Sequence, residues 1–215
     1  KETIEEYTQA MRNTAARVGL SCDFDKEYLT DSPEYRGVSQ SIFVDLFKRG
    51  DIVEDLRPNI YDPVEGTTIA DAEVERLQRK TQLIDVKWST EDGHEVIIST
   101  TRPELICACG IVVVHPDDER YKHLVGKKIH LPVQTSGRSK SVEIATHHSV
   151  KSEFGSGVLM VCSYGDQNDV AVFRELGLAP FQAIDLDGCM TEVSGPYCGL
   201  SVNDARAKVI EDLQE

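Results

Sequence analysis

No run of about 18 consecutive apolar residues occurs in this 215-residue sequence, which excludes a helical membrane span. The first twenty residues, KETIEEYTQAMRNTAARVGL, carry acidic side chains and lack the apolar stretch that a signal peptide requires. They also lack an initiator Met and open in helical character, so the chain is expected to be a piece cut from a longer one. The phosphate loops G-x-x-x-x-G-K-[ST] and G-x-G-x-x-G are both missing, as are a nucleophile elbow and a Ser-His-Asp spacing. None of the six cysteines forms a C-x-x-C pair, and the six histidines do not supply grouped partners for zinc. We therefore expect reduced, buried thiols, no metal, and a cytoplasmic setting. Basic charge is scarce as well. With 23 Lys and Arg against 37 Asp and Glu the formal net charge is −14, which argues against an autonomous nucleic-acid binder. Any RNA must be delivered by something else.

The side chains that are present support a folded domain. Hydrophobic residues make up 40% of the sequence, enough for a core. The first 60 or so residues read as charged helices. Ile4 to Val18 fits an amphipathic helix ending at Gly19, and Ser32-Pro33-Glu34 opens a second one, with Val38, Ile42 and Leu46 on one stripe up to Gly50. RPNIYDPVEGTT (57–68) carries two prolines and a glycine and reads as a connector, so the main boundary is placed between Asn59 and Ala72. The next stretch, ADAEVERLQRK (70–80), fits a helix or an extended segment. From Thr81 the texture changes to strands. Leu83 to Trp88 alternates, Glu91 to His94 reads as a hairpin turn, and Glu95 to Thr100 returns. Further strands are expected at Ile111–Val114, Ser141–Ala145, Gly157–Ser163 and, more weakly, Lys127–Pro132. Short helices are expected after Thr101-Arg102-Pro103-Glu104, over Asp169–Leu176, and from Asn203 or Asp204 to Leu213. Cys107 and Cys109 are expected on one strand face, and His147 and His148 on opposite faces. The expected fold is α+β: a β-barrel-like domain of short strands with flanking helices, plus an N-terminal helical segment.

Reactive side chains gather at element ends. In Ser99-Thr100-Thr101-Arg102-Pro103-Glu104 a strand ends in hydroxyls before a helix start, whose free N–H groups can hold a carbonyl oxygen or a phosphate. The same residues also serve simply to end a strand and cap a helix. In Ser163-Tyr164-Gly165-Asp166-Gln167-Asn168-Asp169 two carboxylates stand three apart. Asp166 fits an N-cap with Asp169 as its N3 partner; alternatively one of them pairs with a substrate ammonium group. His115 to Tyr121 reads as a structural polar turn. Phe154-Gly155-Ser156-Gly157 offers close backbone approach and nothing more specific.

TTRPE (100–104), VHPDDERY (114–121), EFGSGV (153–158), GDQND (165–169) and DLDGCMTE (185–192), in this order, resemble the editing (CP1) domain inserted in the class I synthetases for valine, isoleucine and leucine. RPE after the threonines, and VHPDDERY followed by GKK, favour the valine type, with the isoleucine, leucine and non-catalytic docking readings as alternatives. Leu105, Met160 and Cys162 stand where the bacterial valine pattern has Thr, Lys and Thr, which places the chain nearer an archaeal-like branch. The resemblance implies residues 1–65 from the edge of a catalytic domain and its connector, and residues 66–215 as the editing domain. It implies hydrolysis of threonyl-tRNA(Val), with Asp169 binding the α-amino group and Thr100 and Arg102 lining the pocket for the aminoacyl group and terminal adenosine. Asp166 would contact the threonine hydroxyl, and Thr101, Glu104, Ser163 and Tyr164 would complete the substrate contacts. The N–H groups near Arg102 to Glu104 would receive the ester carbonyl. No cofactor is implied for this piece, since ATP and Mg²⁺ serve the parent's activation step. The implied partners are the 3′ end of tRNA(Val) and the rest of the synthetase, and a monomer is expected.

Overall fold

A computed structural model describes residues 2–55, 58–75, 77–78 and 80–214. Two compact units emerge, Lys1–Arg57 and Pro58–Glu215.

In the first unit, α1 (Glu2–Arg17) closes through Gly19, whose φ of 77° lets its N–H reach Ala16 O while Leu20 N reaches Ala15 O. Arg12 fastens the following turn to α1 by donating to Glu27 Oε2 at 2.7 Å and to Phe24 O at 2.6 Å. Helix α2 (Pro33–Arg49) starts as its residues dictate: the Ser32 hydroxyl accepts from Tyr35 N, Pro33 fills the first turn, and Gly50 ends it in the left-handed region. Of the expected stripe only Leu46 is half-buried, while Val38 and Ile42 stay exposed.

The second unit opens on a small ribbon, β1 (Tyr61–Asp62) paired with β2 (Thr67–Thr68), inside the expected connector, whose Arg57 lies outside the described residues. The Asp62 carboxylate accepts from Val64 N and closes its turn. Of the ambiguous stretch 70–80, Asp71–Glu73 forms a 3₁₀ turn, the remainder is irregular, and Arg76 and Arg79 lie outside the described residues.

Six strands form the main sheet: β3 (Ile84–Thr90), β4 (Glu95–Thr100), β5 (Cys109–Val114), β6 (Lys128–His130), β7 (Ser141–Thr146) and β8 (Val158–Cys162). Their order is β4-β3-β6-β7-β5-β8; β5 and β7 run parallel and the other neighbours antiparallel. The end strands β4 and β8 approach each other, and Ser156 N donates to Ser99 Oγ at 3.2 Å, so the sheet curls into a nearly closed barrel.

Burial explains the two textures seen along the chain. In β3, Val86, Trp88 and Thr90 point inward, while Asp85, Lys87 and Ser89 meet solvent. In β5 both faces are covered: Val112 and Val114 join the barrel core with Trp88, Ile98, Ile129 and Ile144, while Ile111 and Val113 pack outside with Val172 and Phe173. Those last two residues belong to α3 (Gln167–Glu175), which lies on the outer face. Gly110 makes this possible, because a Cβ there would stand 2.5 Å from Phe173 Cζ. A last helix, α4 (Val202–Asp212), is capped by Ser201 accepting from Asp204 N and buries Ala205 and Val209.

Four local expectations need correction. The thiols are not all buried: Cys107, Cys109 and Cys162 are, but Cys189 is half-buried and Cys22 and Cys198 are exposed, lying in segments outside the barrel core. Cys107 does not share a strand face with Cys109; it lies in the 3₁₀ helix Pro103–Ala108, and Cys109 is the first strand residue. His147 and His148 fall beyond β7, where His147 bonds the Ser149 hydroxyl and the Glu175 carboxylate instead of alternating along a strand. The sixth strand is shorter than Lys127–Pro132, spanning three residues between the turn after Leu124 and the end of its pairing with Ser141.

Candidate functional site

Two chain corners meet at one end of the barrel, each made by a strand giving way to a helix. At the first, β4 ends in Thr100, nearly buried, whose Oγ1 accepts from Arg102 N at 3.0 Å. Thr101 is half-buried beside it. The chain then enters Pro103–Ala108, which is buried throughout. The row of free N–H groups expected over Arg102 to Glu104 is not available. Arg102 N is taken by Thr100, Pro103 has no N–H, and Glu104 N faces its own side chain.

Glu104, expected among the substrate contacts, is 1% exposed and points into the protein. Arg206 grips it with two bonds, Nε to Oε2 at 2.9 Å and Nη2 to Oε1 at 2.8 Å. Arg102 Nε adds a third at 3.2 Å. Burial pushes the Glu104 carboxyl up, but Arg206, the residue's own backbone N–H and Arg102 together more than offset it and hold the group below the usual carboxylate range.

At the second corner, β8 ends in Cys162. The Ser163 hydroxyl donates to Ala108 O at 3.2 Å and accepts from Phe181 N at 2.7 Å, so it joins three segments. Tyr164 has a φ of 55°, a conformation that among the described residues no other non-glycine adopts. Its ring leans on Phe173 at 6.2 Å. Gly165 follows, and a Cβ there would stand against Asp169 Oδ2 and 3.5 Å from Cys162 Cβ, so any other residue displaces that carboxylate. Asp166 then caps α3, accepting from Asn168 N at 2.7 Å and Asp169 N at 2.9 Å.

Asp169 sits half-buried in the first turn of α3. Burial foremost, and next the neighbouring Asp166 charge, push its carboxyl up to about 7. The backbone near Cys162 and Asp166, and the Arg102 charge, pull the other way without cancelling the rise. The result is a carboxyl that changes charge near neutrality and is stabilised as an anion by any cation placed against it.

A further bond joins the corners: Arg102 Nη1 donates to Gly165 O at 2.9 Å. Beside it opens a cleft of about 850 Å³, lined by Arg102, Leu105, Ser163 and Tyr164, by Phe181, Gln182 and Asp185, and by Tyr61 and Pro63 of the ribbon. Of the residues singled out in the sequence, Arg102, Ser163 and Tyr164 face this cleft. Thr100, Thr101, Asp166 and Asp169 belong to the two corners, and Glu104 lies behind them. Sequence reasoning missed Phe181, Gln182, Gly165 and Arg206. For Gly165 a signal existed, a glycine before an N-cap; Arg206 looks like any exposed arginine on a charged helix.

The other motifs are braces. Arg120 pairs with Asp118 and donates to Ser152 O at 2.9 Å, and Tyr121 Oη donates to Ser156 O at 2.8 Å, so VHPDDERY holds EFGSGV. Among the described residues no group of three or more His, Cys, Asp or Glu side chains is arranged to hold a metal ion, and no helix is long and apolar enough to cross a membrane.

Comparison with known proteins places this geometry in context. The family model for tRNA synthetases class I (I, L, M and V) matches residues 1–175. The chain is 42% identical over 214 residues to a valine–tRNA ligase of Archaeoglobus fulgidus, covering 100% of this chain and 24% of that protein. It is 41% identical over 215 residues to the valine–tRNA ligase of Methanocaldococcus jannaschii, again covering 100% of this chain and 24% of the relative. It thus spans about a quarter of the length of these relatives. Among solved structures, the LeuRS–tRNA–LeuAMS ternary complex from Agrobacterium radiobacter K84 matches with a TM-score of 0.47 and 18% identity, covering 98% of this chain and 35% of the other.

Proposed function

The chain belongs to the class I tRNA synthetases (I, L, M and V), and from that premise we propose that it carries the editing domain of a valine–tRNA ligase, hydrolysing threonyl-tRNA(Val) to threonine and tRNA(Val). Residues 66–215 form the editing domain in this reading, and residues 1–65 are the edge of the catalytic domain with its connector. The need is chemical. A pocket shaped for valine rejects the isosteric threonine by only about 10²-fold, a figure established for this type of enzyme and not worked from this structure. A second, hydrolytic site supplies the remaining discrimination.

The observation that carries the proposal is Asp169, a half-buried carboxyl raised to about 7 at a corner clamped by Arg102, whose side chain also lines the cleft. The aminoacyl ester brings an α-ammonium group, and the Asp169 carboxylate is its counter-ion. Thr100 and Arg102 border the space for the aminoacyl group and the terminal adenosine, with Tyr164 and Ser163 along the cleft wall. Asp166 keeps Oδ1 on two backbone N–H groups, which leaves its other oxygen for the threonine hydroxyl. In the reaction, water oxygen bonds to the ester carbonyl carbon and the bond from that carbon to the ribose oxygen breaks. The proton goes to the departing ribose oxygen. An activated ester asks chiefly for orientation and a positioned water, so no general base is assigned. The net charge of −14 makes the rest of the synthetase the deliverer of the tRNA. No cofactor takes part in this step, ATP and Mg²⁺ belonging to amino-acid activation elsewhere in the parent. The setting is cytoplasmic and the chain is a monomer.

The test compares deacylation of Thr-tRNA(Val) and Val-tRNA(Val) by the full synthetase that contains this chain and by its Asp169→Ala variant, the isolated chain being expected to act on the same ester only weakly. A preference for the threonyl ester that the substitution abolishes supports the proposal; equal rates on both esters, or no loss, overturn it. A docking insertion without chemistry is the second reading, favoured by Leu105, Met160 and Cys162, all buried and apolar where the bacterial pattern is polar. It predicts tRNA binding with no release of amino acid.

A further inference from the structure

We propose that Arg206 is a positioning residue for this site: through the buried Glu104 carboxylate it holds Arg102 against the Gly165 carbonyl, and so sets where Asp169 stands. The inference rests on the function proposed above and adds a residue from the C-terminal helix to it.

Four links make the chain of contacts. Arg206, on α4 and 102 positions from Glu104, meets both carboxylate oxygens in a fork at 2.9 and 2.8 Å. The Glu104 side chain is fully shielded from solvent. Its Oε1 also receives Arg102 Nε at 3.2 Å, which orients that guanidinium. The far edge of the same guanidinium reaches Gly165 O at 2.9 Å, 63 positions along the chain. Gly165 is the residue against which Asp169 Oδ2 is packed, and its neighbour Tyr164 is held in a left-handed conformation that needs support from its surroundings.

A buried ion pair can often be replaced by apolar side chains of similar volume with little loss of stability, so stability alone does not call for this one. One arginine would also suffice to pair Glu104. The second guanidinium in the arrangement is the one that spans the two corners. Arg206 fixes the anion, and the anion fixes the spanning arginine.

The test uses the paired replacement Glu104→Met with Arg206→Met, which removes both charges together and leaves Arg102 without its anchor. kcat and KM for Thr-tRNA(Val) deacylation are measured separately, and backbone amide NMR shifts of Gly165 and Asp169 are recorded. The expected result is a kcat lower by on the order of 10²-fold, a melting temperature close to that of the parent, and displaced Gly165 and Asp169 amides. A folded pair variant with unchanged kcat and unchanged amides overturns the inference. Should the pair variant not fold, Arg206→Lys decides: it keeps the charge but loses the fork, so a partial kcat loss with shifted amides supports the inference, and parental values on both overturn it. If the full synthetase carrying the unaltered sequence releases no threonine, the proposed function fails, and the amide shifts alone judge the coupling: displaced amides support it and unmoved amides overturn it.

Discussion

Replacing Asp169 with Asn should change the pH dependence of deacylation, and the structure sets both the midpoint and the size. The Asp169 carboxyl is raised to about 7, first by burial and then by Asp166. About nine-tenths of it is therefore ionised at pH 8 and about one-tenth at pH 6. An ammonium group bound by the ionised form gains a charge-assisted hydrogen bond worth about 1.5–3 kcal/mol, and an amide lacks the charge. At pH 7, where half of the carboxyl is ionised and the substrate α-ammonium is still largely charged, the wild type should then exceed Asp169→Asn in kcat/KM by roughly 5- to 60-fold. Between pH 7 and pH 5 that ratio should fall towards one as the carboxyl takes up its proton. Taking the ratio cancels the intrinsic base sensitivity of the ester, which acts on both proteins alike. Stability moves in a linked way. The folded-state value lies above the ordinary 3.8, so this group's contribution is fully present below that value and is lost as pH rises through about 7. Asp169→Asn should therefore match the wild type in acid and melt above it at pH 8. A kcat/KM ratio that stays constant from pH 5 to pH 7 would refute the reasoning.

Gly165→Ala should disable the site while only weakening the fold, because the new methyl group collides with Asp169 Oδ2; about 1–3 kcal/mol of stability and most of the deacylation should go, read by denaturant melts alongside kinetics. Asp166→Ala removes the cap of α3 and should cost about 1 kcal/mol, whereas Asp166→Asn retains the accepting oxygen and should melt close to the wild type. Alkylation at pH 8 followed by mass spectrometry should label the exposed Cys22 and Cys198 rapidly. It should spare Cys107, pushed up to about 11 by burial, and Cys162, raised by its bond to Cys109 and by burial, until the protein unfolds.

Much of the fold could be read along the chain because the forces that shape it are local. Ser32-Pro33 and Gly50 bound α2 through capping and backbone conformation, each within a few residues. The alternation from Ile84 to Thr90 signals one buried face, and the unbroken run Ile111–Val114 signals two. Asp166 could be read as a helix cap from its place before Gln167, and it is one. TTRPE admitted both a structural and a chemical meaning. Thr100 in fact spends its hydroxyl on Arg102 N, and with Pro103 this closes the anion-binding helix start that the sequence had suggested. What stayed hidden depends on residues far apart in the chain. The parallel pairing of β5 with β7 is one example, and the displacement of Cys107 from a strand into a 3₁₀ helix is another. Glu104 reads as a substrate contact from its neighbours in sequence, but Arg206, 102 positions away, claims it. Local propensity, turn chemistry and hydrophobic period thus determined the elements and the residue types at both corners. Only the tertiary structure decided which carboxylate is left half-buried with a raised pKa and which is locked by two arginines, because burial and charge pairing are set by the neighbours that folding brings in.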